Sequence, residues 1–229
     1  MKRAWIALLL GSLTTAAAAP SERVDLIIRG GTIYTGESAP FVGDVAVRGD
    51  RIHAVGRRLP QRAARVIDAR GMIVAPGFID PHTHAEAQLA SPDAQTRLIP
   101  AFLMQGVTTA FIGNDGGGDP DVAAVLGGAQ SRPVGINYAA FVGFGAVRQR
   151  AIGQADRAPT EAELARMREM VARAMCEGAL GLSTGLFYAP QSFARTDEVV
   201  ALAREAARRG GRSGSTMPLM WGSERSARR

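Results

Sequence analysis

Two histidines, His82 and His84, lie two residues apart in the run GFIDPHTH, which follows an apolar segment at 71–76. In an extended strand, the side chains of residues i and i+2 point to the same side. Both imidazoles can therefore reach a single cation from one strand end, whereas a helix would need the spacing i, i+4. The spacing predicts a metal site at the end of a buried strand.

A third candidate ligand, Asp115, follows the β-branched run 107–112 and precedes three glycines. Functional residues collect at the carboxyl ends of the strands in barrels of alternating strands and helices, so this carboxylate is expected near the two histidines. Aspartate oxygen is a competent Zn²⁺ ligand. The sequence Asn-Asp-Gly is also typical of a turn, and the spacing alone leaves both interpretations open.

Two hydroxyl side chains, Ser183 and Tyr188, lie at the end of a later predicted strand, 179–186. They are candidates for orienting a substrate, and a purely structural role is equally compatible with their positions. Arg148 follows another predicted strand and could meet a carboxylate, although a solvated loop arginine is the more common case. The sequence offers no nameable general base, so the catalytic residues are unassigned.

These residues need a scaffold of alternating elements, and the pattern from residue 71 provides one. Strands are predicted at 72–82, 107–112, 134–144 and 179–186, and helices at 93–105, 121–130, 160–176 and from 196 to the glycines at 210–211. Thr160 and Glu163 form a capping box at the start of the third helix. This alternation predicts an α/β fold of about four β/α units with a parallel sheet over 71–211.

The region 19–70 has a different rhythm, with short β-rich runs separated by glycine turns. A hairpin is predicted across 45–55 with a two-residue turn at Gly49-Asp50. We expect a small β domain here. His53 lies on the hairpin and is expected to be an ordinary strand residue.

The first 18 residues have the features of a secretory signal peptide. Lys2 and Arg3 precede an apolar stretch of about ten residues and a run of small residues at 16–19. The apolar stretch is too short to span a bilayer, and no later segment approaches that length. We therefore expect a periplasmic or secreted protein without a membrane anchor after cleavage.

The net charge of +6 does not indicate nucleic-acid binding. Lys2 and Arg3 supply two of these charges and residues 212–229 supply three, which leaves +1 over 19–211. No basic stripe interleaved with aromatic residues is present in that region. The single cysteine, Cys176, excludes an internal disulfide, and its place in an amphipathic run predicts a buried side chain.

The motifs together resemble the N-acyl-D-amino-acid deacylases, or D-aminoacylases, of the metal-dependent amidohydrolase superfamily. The resemblance covers about residues 23–211 and rests on the region 24–56 and three motifs: APGFIDPHTH at 75–84, QGVTT at 105–109 and GALGLSTGLFY at 178–188. It implies a TIM-like (β/α)8 barrel, here its N-terminal part, joined to a portion of a small β-sandwich. The implied reaction is the hydrolysis of the amide bond of a small-molecule N-acyl-D-amino acid, with one or two zinc ions activating water.

The resemblance also implies roles for individual residues. His82 and His84 match the metal ligands of the first strand, and Asp115 matches a position where members of the family often have a bridging cysteine. The carboxylate keeps an anionic bridge but replaces soft sulfur with hard oxygen, which affects metal preference. A carboxylated lysine, the bridge of many other superfamily members, is not expected because Lys2 is the only lysine.

The last 18 residues depart from the family pattern. The family takes two further histidine ligands and an aspartate base from later strands, whereas residues 212–229 are rich in Arg and Ser and show no periodicity. We expect this tail to be disordered and to form no fifth strand. Our hypothesis is a truncation or frameshift near residue 211, which predicts that this chain alone is inactive.

Two alternatives stay open. The chain is also compatible with a non-catalytic secreted metal-binding fragment, or with an amidohydrolase that acts on cyclic amide or carbamoyl substrates. The GLSTGL run favours the deacylase. The sequence does not indicate an oligomeric state, a D-amino-acid side chain or an acyl group.

Overall fold

A computed structural model describes residues 22–215, with the side chains of 22–211. It divides into two compact units, with the division between Pro76 and Gly77. The predicted signal peptide and most of the Arg/Ser-rich tail lie outside the described residues. No helix within 22–215 is long and apolar enough to cross a membrane.

The first unit is a five-stranded sheet. Its strands are β1 (Arg23–Ile33), β2 (Phe41–Arg48), β3 (Arg51–Gly56), β4 (Arg62–Asp68) and β5 (Ile73–Val74). The order is β3-β2-β1-β4, with β5 also paired to β1, and the β2–β3 hairpin has the predicted Gly49-Asp50 turn. His53 lies on β3 and contacts Glu22 at 2.9 Å, as expected of an ordinary strand residue.

The predicted strand 72–82 is in fact two strands, one in each unit. β5 ends at Val74, and the next strand, β6, runs over Phe78–Asp80. Pro76 lies between them and has no N–H group to donate to a ladder, which interrupts the strand. The boundary between the units therefore falls six residues after the predicted end of the β domain.

The second unit contains parallel strands in chain order. They are β6 (Phe78–Asp80), β7 (Val107–Ile112), β8 (Asn137–Ala140), β9 (Val142–Gly143), β10 (Gly181–Thr184) and β11 (Arg212–Ser215). The sheets are β6-β7-β8 and β9-β10-β11, and the N–H of Leu180 donates to the carbonyl of Ala140 at 2.8 Å. The α/β class is confirmed, and the prediction of no fifth strand is wrong, because Arg212–Ser215 pairs along β10.

Helices pack against these strands and close the core of the second unit. The longer ones are α4 (Val122–Ser131), α5 (Phe144–Ile152), α6 (Glu161–Cys176) and α7 (Thr196–Ala207). The capping box of Thr160 and Glu163 is present at the start of α6. The core combines Ile112, Val142 and Leu182 from the strands with Phe144, Met167 and Leu202 from the helices.

Two local predictions are wrong, and two helices were not predicted. The predicted helix 93–105 is two single turns, α2 (Ala94–Arg97) and α3 (Pro100–Leu103), because Ile99 is left-handed (φ 48°) and Pro100 begins a new helix. The short helix α1 (Glu86–Leu89) precedes them. α5 was not predicted, and Cys176 is exposed at the last turn of α6 rather than buried.

Candidate metal centre

The two histidines extend from the end of β6, and the residue between them fixes their direction. Thr83 is buried, and its hydroxyl donates to the carbonyl of Phe111 at the end of β7 at 2.8 Å. Alternation then directs His82 and His84 to the opposite side. The N–H of His82 donates to Asp80 at 3.1 Å, and the two imidazole centroids lie 5.4 Å apart.

Asp115 lies in the loop after β7 and reaches both histidines. Its Oδ2 is 3.1 Å from Nε2 of His84 and 3.7 Å from Nε2 of His82. One ligand atom from each residue lies within 4.8 Å of the other two. Among the side chains described, this is the one group of three His, Cys, Asp or Glu residues with the spacing of a metal site.

The donor set fits zinc. A tetrahedral Zn²⁺ with bonds of about 2.0–2.1 Å to nitrogen and oxygen keeps its ligand atoms about 3.3 Å apart. The two distances from Asp115 lie on either side of that value, at 3.1 and 3.7 Å. The histidine side chains are 42% and 60% exposed, which leaves space for further ligands or substrate on their side.

The Asp115 loop is tightly held although its sequence is rich in glycine. Asp115 itself has a left-handed backbone (φ 55°), a conformation that Asp and Asn tolerate better than most residues. The side-chain amide of Asn114 donates to the carbonyls of Thr83 and Phe111 at 3.2 and 2.9 Å. The loop is thus a turn, as its sequence suggests, and this turn also directs its carboxylate at the histidines.

Sequence reasoning missed Glu86, which supports the same loop. Its Oε1 accepts a hydrogen bond from the N–H of Gly113 at 2.6 Å. Its position two residues after the His-Thr-His motif is the only local signal, and nothing in the sequence indicates a partner 27 residues away.

The two residues proposed to bind substrate have different surroundings. Ser183 is 1% exposed, and its hydroxyl donates to the carbonyl of Gly113 and accepts from the N–H of Gly116 at 3.1 Å. Tyr188 is 54% exposed and stacks edge-to-face on Phe187. A substrate contact by either residue stays a prediction, but the Ser183 hydroxyl already bonds to two backbone groups of the Asp115 loop.

Of the two interpretations that the sequence left open for Arg148, the structure shows the carboxylate partner and not the solvated loop residue. It lies in α5, is fully buried, and its Nε donates to Oε1 of Glu198 at 3.0 Å. Its Nη1 and Nη2 donate to the carbonyls of Ala155 and Arg157 at 3.1 and 2.7 Å. Arg148 therefore fastens α5 to α7 and to the loop that follows α5.

Comparison with known proteins identifies a family profile and several relatives that match this chain. A family profile described as "Amidohydrolase family" matches residues 65–228. The D-aminoacylase of Alcaligenes xylosoxydans xylosoxydans is 34% identical over 215 residues, which cover 83% of this chain and 44% of that protein.

Two solved structures share the fold. The zinc-bound N-acyl-D-glutamate deacylase of Bordetella bronchiseptica, complexed with a phosphonate inhibitor, has a TM-score of 0.78, 34% identity and coverage of 85% of this chain and 45% of its own. A D-aminoacylase studied for its binuclear metal centre has a TM-score of 0.77 and 32% identity, with the same coverage. The chain spans less than half the length of these three relatives.

The family profile covers most of the chain, and the relatives carry the names that the histidine and GLSTGL motifs led us to expect. The resemblance to the N-acyl-D-amino-acid deacylases is confirmed, and the chain belongs to the amidohydrolase family.

Proposed function

We propose that this chain supplies the first part of the metal site of a zinc-dependent hydrolase that cleaves the amide bond of N-acyl-D-amino acids. The observation that carries the proposal is the convergence of His82, His84 and Asp115 from two neighbouring strand ends. The names of the relatives support the substrate class.

Each of the three residues has a definite role in this proposal. His82 and His84 each offer the ring nitrogen Nε2, and Asp115 offers a carboxylate oxygen. Bound zinc would polarise an amide carbonyl and lower the pKa of water. The Asp115 side chain is half-buried and would bind the metal from the protein side. The His82 and His84 side chains are exposed, so the solvent-facing side of the metal would be open to substrate.

We also propose a partial (β/α)8 barrel for the second unit and a sandwich portion for the first. The parallel strands in chain order, β6 to β11, with helices between them support the barrel. The antiparallel β1–β2–β3 arrangement supports the sandwich. The leader-like residues 1–18 support export to the periplasm or the medium.

We propose further that the isolated 229-residue chain binds zinc but does not turn over substrate. The group of described side chains that has the spacing of a metal site provides three candidate ligands, and the general base is unassigned. Binding and catalysis are therefore expected to be separable in this chain.

Zinc titration by calorimetry, together with hydrolysis assays on N-acetyl-D-amino acids, N-acetyl-L-amino acids and a cyclic amide, tests these proposals. His82→Ala and Asp115→Ala should weaken zinc binding strongly, whereas His53→Ala, the one remaining histidine, is the matched control and should not. Unchanged zinc affinity in His82→Ala would refute the metal site. Turnover by the isolated chain would refute only its inactivity, and preference for a cyclic amide would favour the alternative amidohydrolase.

A further inference from the structure

A single buried side chain, Gln191, joins the Asp115 loop to the end of β10. Gln191 lies in a 3-10 turn (Gln191–Phe193) after β10 and is 4% exposed. Its Nε2 donates to the carbonyl of Asp115 at 2.8 Å. Its Oε1 accepts from the N–H of Gly185 at 2.8 Å, so both ends of the amide are used.

The space around Gln191 exists because the neighbouring positions are glycines. A Cβ on Gly116 would lie 2.1 Å from Oε1 of Gln191, and one on Gly145 would lie 2.7 Å from its Cδ. A Cβ on Gly185 would lie 2.5 Å from the carbonyl oxygen of Asp115. The backbone segments after β7, β9 and β10 therefore approach one another closely, and the Gln191 amide lies between them.

Ser183 holds the same loop from the strand itself. Its hydroxyl bridges the carbonyl of Gly113 and the N–H of Gly116, on either side of Asp115. Gln191 bonds to the carbonyl of Asp115 between these two points. The left-handed backbone of Asp115, which sets the direction of its carboxylate, is thus fixed by two side chains about 70 residues further along the chain.

We infer that Gln191, with Ser183, is a positioning residue for Asp115: it holds the carboxylate where His82 and His84 can share a metal ion with it. The inference rests on the proposed zinc site. Gln191 contacts no candidate ligand atom, and acts only through the backbone of Asp115. Residues that hydrogen-bond to the ligating side chain itself typically contribute about 10- to 100-fold to metal affinity, and we expect an effect at the lower end of that range for this backbone contact.

The test uses Gln191→Met, which removes both hydrogen bonds with little change in volume. The matched control is Gln154→Met, since the exposed Gln154 bonds only to the side chain of Gln149 in the described structure. We expect the zinc Kd of Gln191→Met to rise about 10-fold or more at a temperature far below unfolding, with no change in the control. The visible spectrum of the cobalt-substituted protein should also change, because its bands report the geometry of the ligands.

A double-mutant cycle separates positioning from general destabilisation. Because Gln191 acts through Asp115, Gln191→Met should have no further effect on zinc affinity in the Asp115→Ala background. An equal effect in both backgrounds would overturn the inference, as would a lowered melting temperature with unchanged zinc Kd and cobalt spectrum. If Gln191→Met does not fold, Ser183→Ala tests the other support of the same loop with the same readouts.

Failure of the positioning role of Gln191 can be distinguished from failure of the zinc site itself. If the wild-type chain binds no zinc, the proposed function fails, and amide exchange in the metal-free protein still tests the support. Gln191→Met should then abolish the protection of the Gly185 amide against exchange, and unchanged protection would refute the contact. If the wild-type binds zinc and Gln191→Met binds it equally well, the proposed function stands and the positioning role falls.

Discussion

Arg148→Met is expected to be the most destabilising single substitution among the residues that connect α5 to α7. Arg148 is fully buried, and Glu198 is 3% exposed. The variant keeps the apolar stem of Arg148 and removes the guanidinium that neutralises the carboxylate. It leaves a buried charge and two carbonyl groups, those of Ala155 and Arg157, without their donor.

The magnitude follows from these contacts. Removing one partner of a buried ion pair costs about 3–5 kcal/mol, because the other charge stays buried and uncompensated. Glu198 is already poorly solvated, since its Oε2 has no hydrogen-bond partner in the described structure. A loss of about 3–5 kcal/mol is a large share of the 5–15 kcal/mol that is typical of folded proteins.

The size of the loss should depend on pH. Burial raises the pKa of the Glu198 carboxyl, and the charge and hydrogen bond of Arg148 oppose that rise. Without Arg148 the pKa rises further, so the variant's folded state binds a proton more tightly than its unfolded state. Protonation then relieves the buried charge, and the gap between variant and wild type should be smaller at pH 5 than at pH 8.

Urea unfolding followed by circular dichroism measures these differences. Arg150→Met is the matched control, because Arg150 forms an exposed pair with Asp119 and its loss should cost less than about 1 kcal/mol. The double variant Arg148→Met/Glu198→Met should recover most of the loss, since a buried pair can often be replaced by apolar residues at little cost. A loss below about 1 kcal/mol for Arg148→Met, or no recovery in the double variant, would refute this reasoning.

Two further predictions concern acid stability and zinc. Hydrogen bonds from the side chain of Arg157 and then from the backbone of Thr160 lower the pKa of Glu163 from 4.5 to about 2. A lowered pKa in the folded state contributes stability that is present above pH 4.5 and is lost as the pH falls toward 2. Glu163→Gln should therefore reduce this part of the acid dependence of the free energy of unfolding in urea. Zinc at 100 times its Kd should stabilise the wild type by about 2.7 kcal/mol in thermal or urea unfolding. Asp115→Ala should lose most of this stabilisation, whereas His53→Ala should keep it. Equal stabilisation of Asp115→Ala would count against the metal site.

The histidine half of the candidate site could be predicted because its geometry is local. The i, i+2 spacing of His82 and His84 survives although β6 itself ends at Asp80, since Thr83 is buried and continues the alternation. Asp115 required one further step, the rule that parallel strands present functional residues at the same edge. Both steps use positions within a few residues of a strand end.

The supports of the site could not be predicted, because they depend on contacts between distant segments. Gln191 bonds to a carbonyl 76 residues earlier, and Ser183 to a loop 67–70 residues earlier. From the sequence alone, the hydroxyl of Ser183 suggests substrate binding as readily as the structural role that it has here. The same holds for Arg148, whose partner Glu198 is 50 residues away.

Local composition also misled at two strand and helix boundaries. Residues 212–215 have weak strand preference, but backbone pairing with β10 is enough to extend the sheet there. Pro100 lacks the N–H that a continuous helix would need, although proline is well tolerated where a helix begins. Pairing with β10 therefore makes 212–215 a strand, and the start of a new helix at Pro100 accommodates the proline.

The two halves of the candidate site therefore depend on the fold in different ways. The histidines are oriented by strand alternation and by Thr83, a contact between neighbouring strand ends. Asp115 is oriented by Gln191 and Ser183, and these contacts depend on the packing of β10 and the turn after it against the loop after β7. Loosening of β10 should thus displace the carboxylate while the imidazoles keep their spacing. Since the carboxylate is the one anionic ligand, metal affinity should be a sensitive measure of how well β10 is packed.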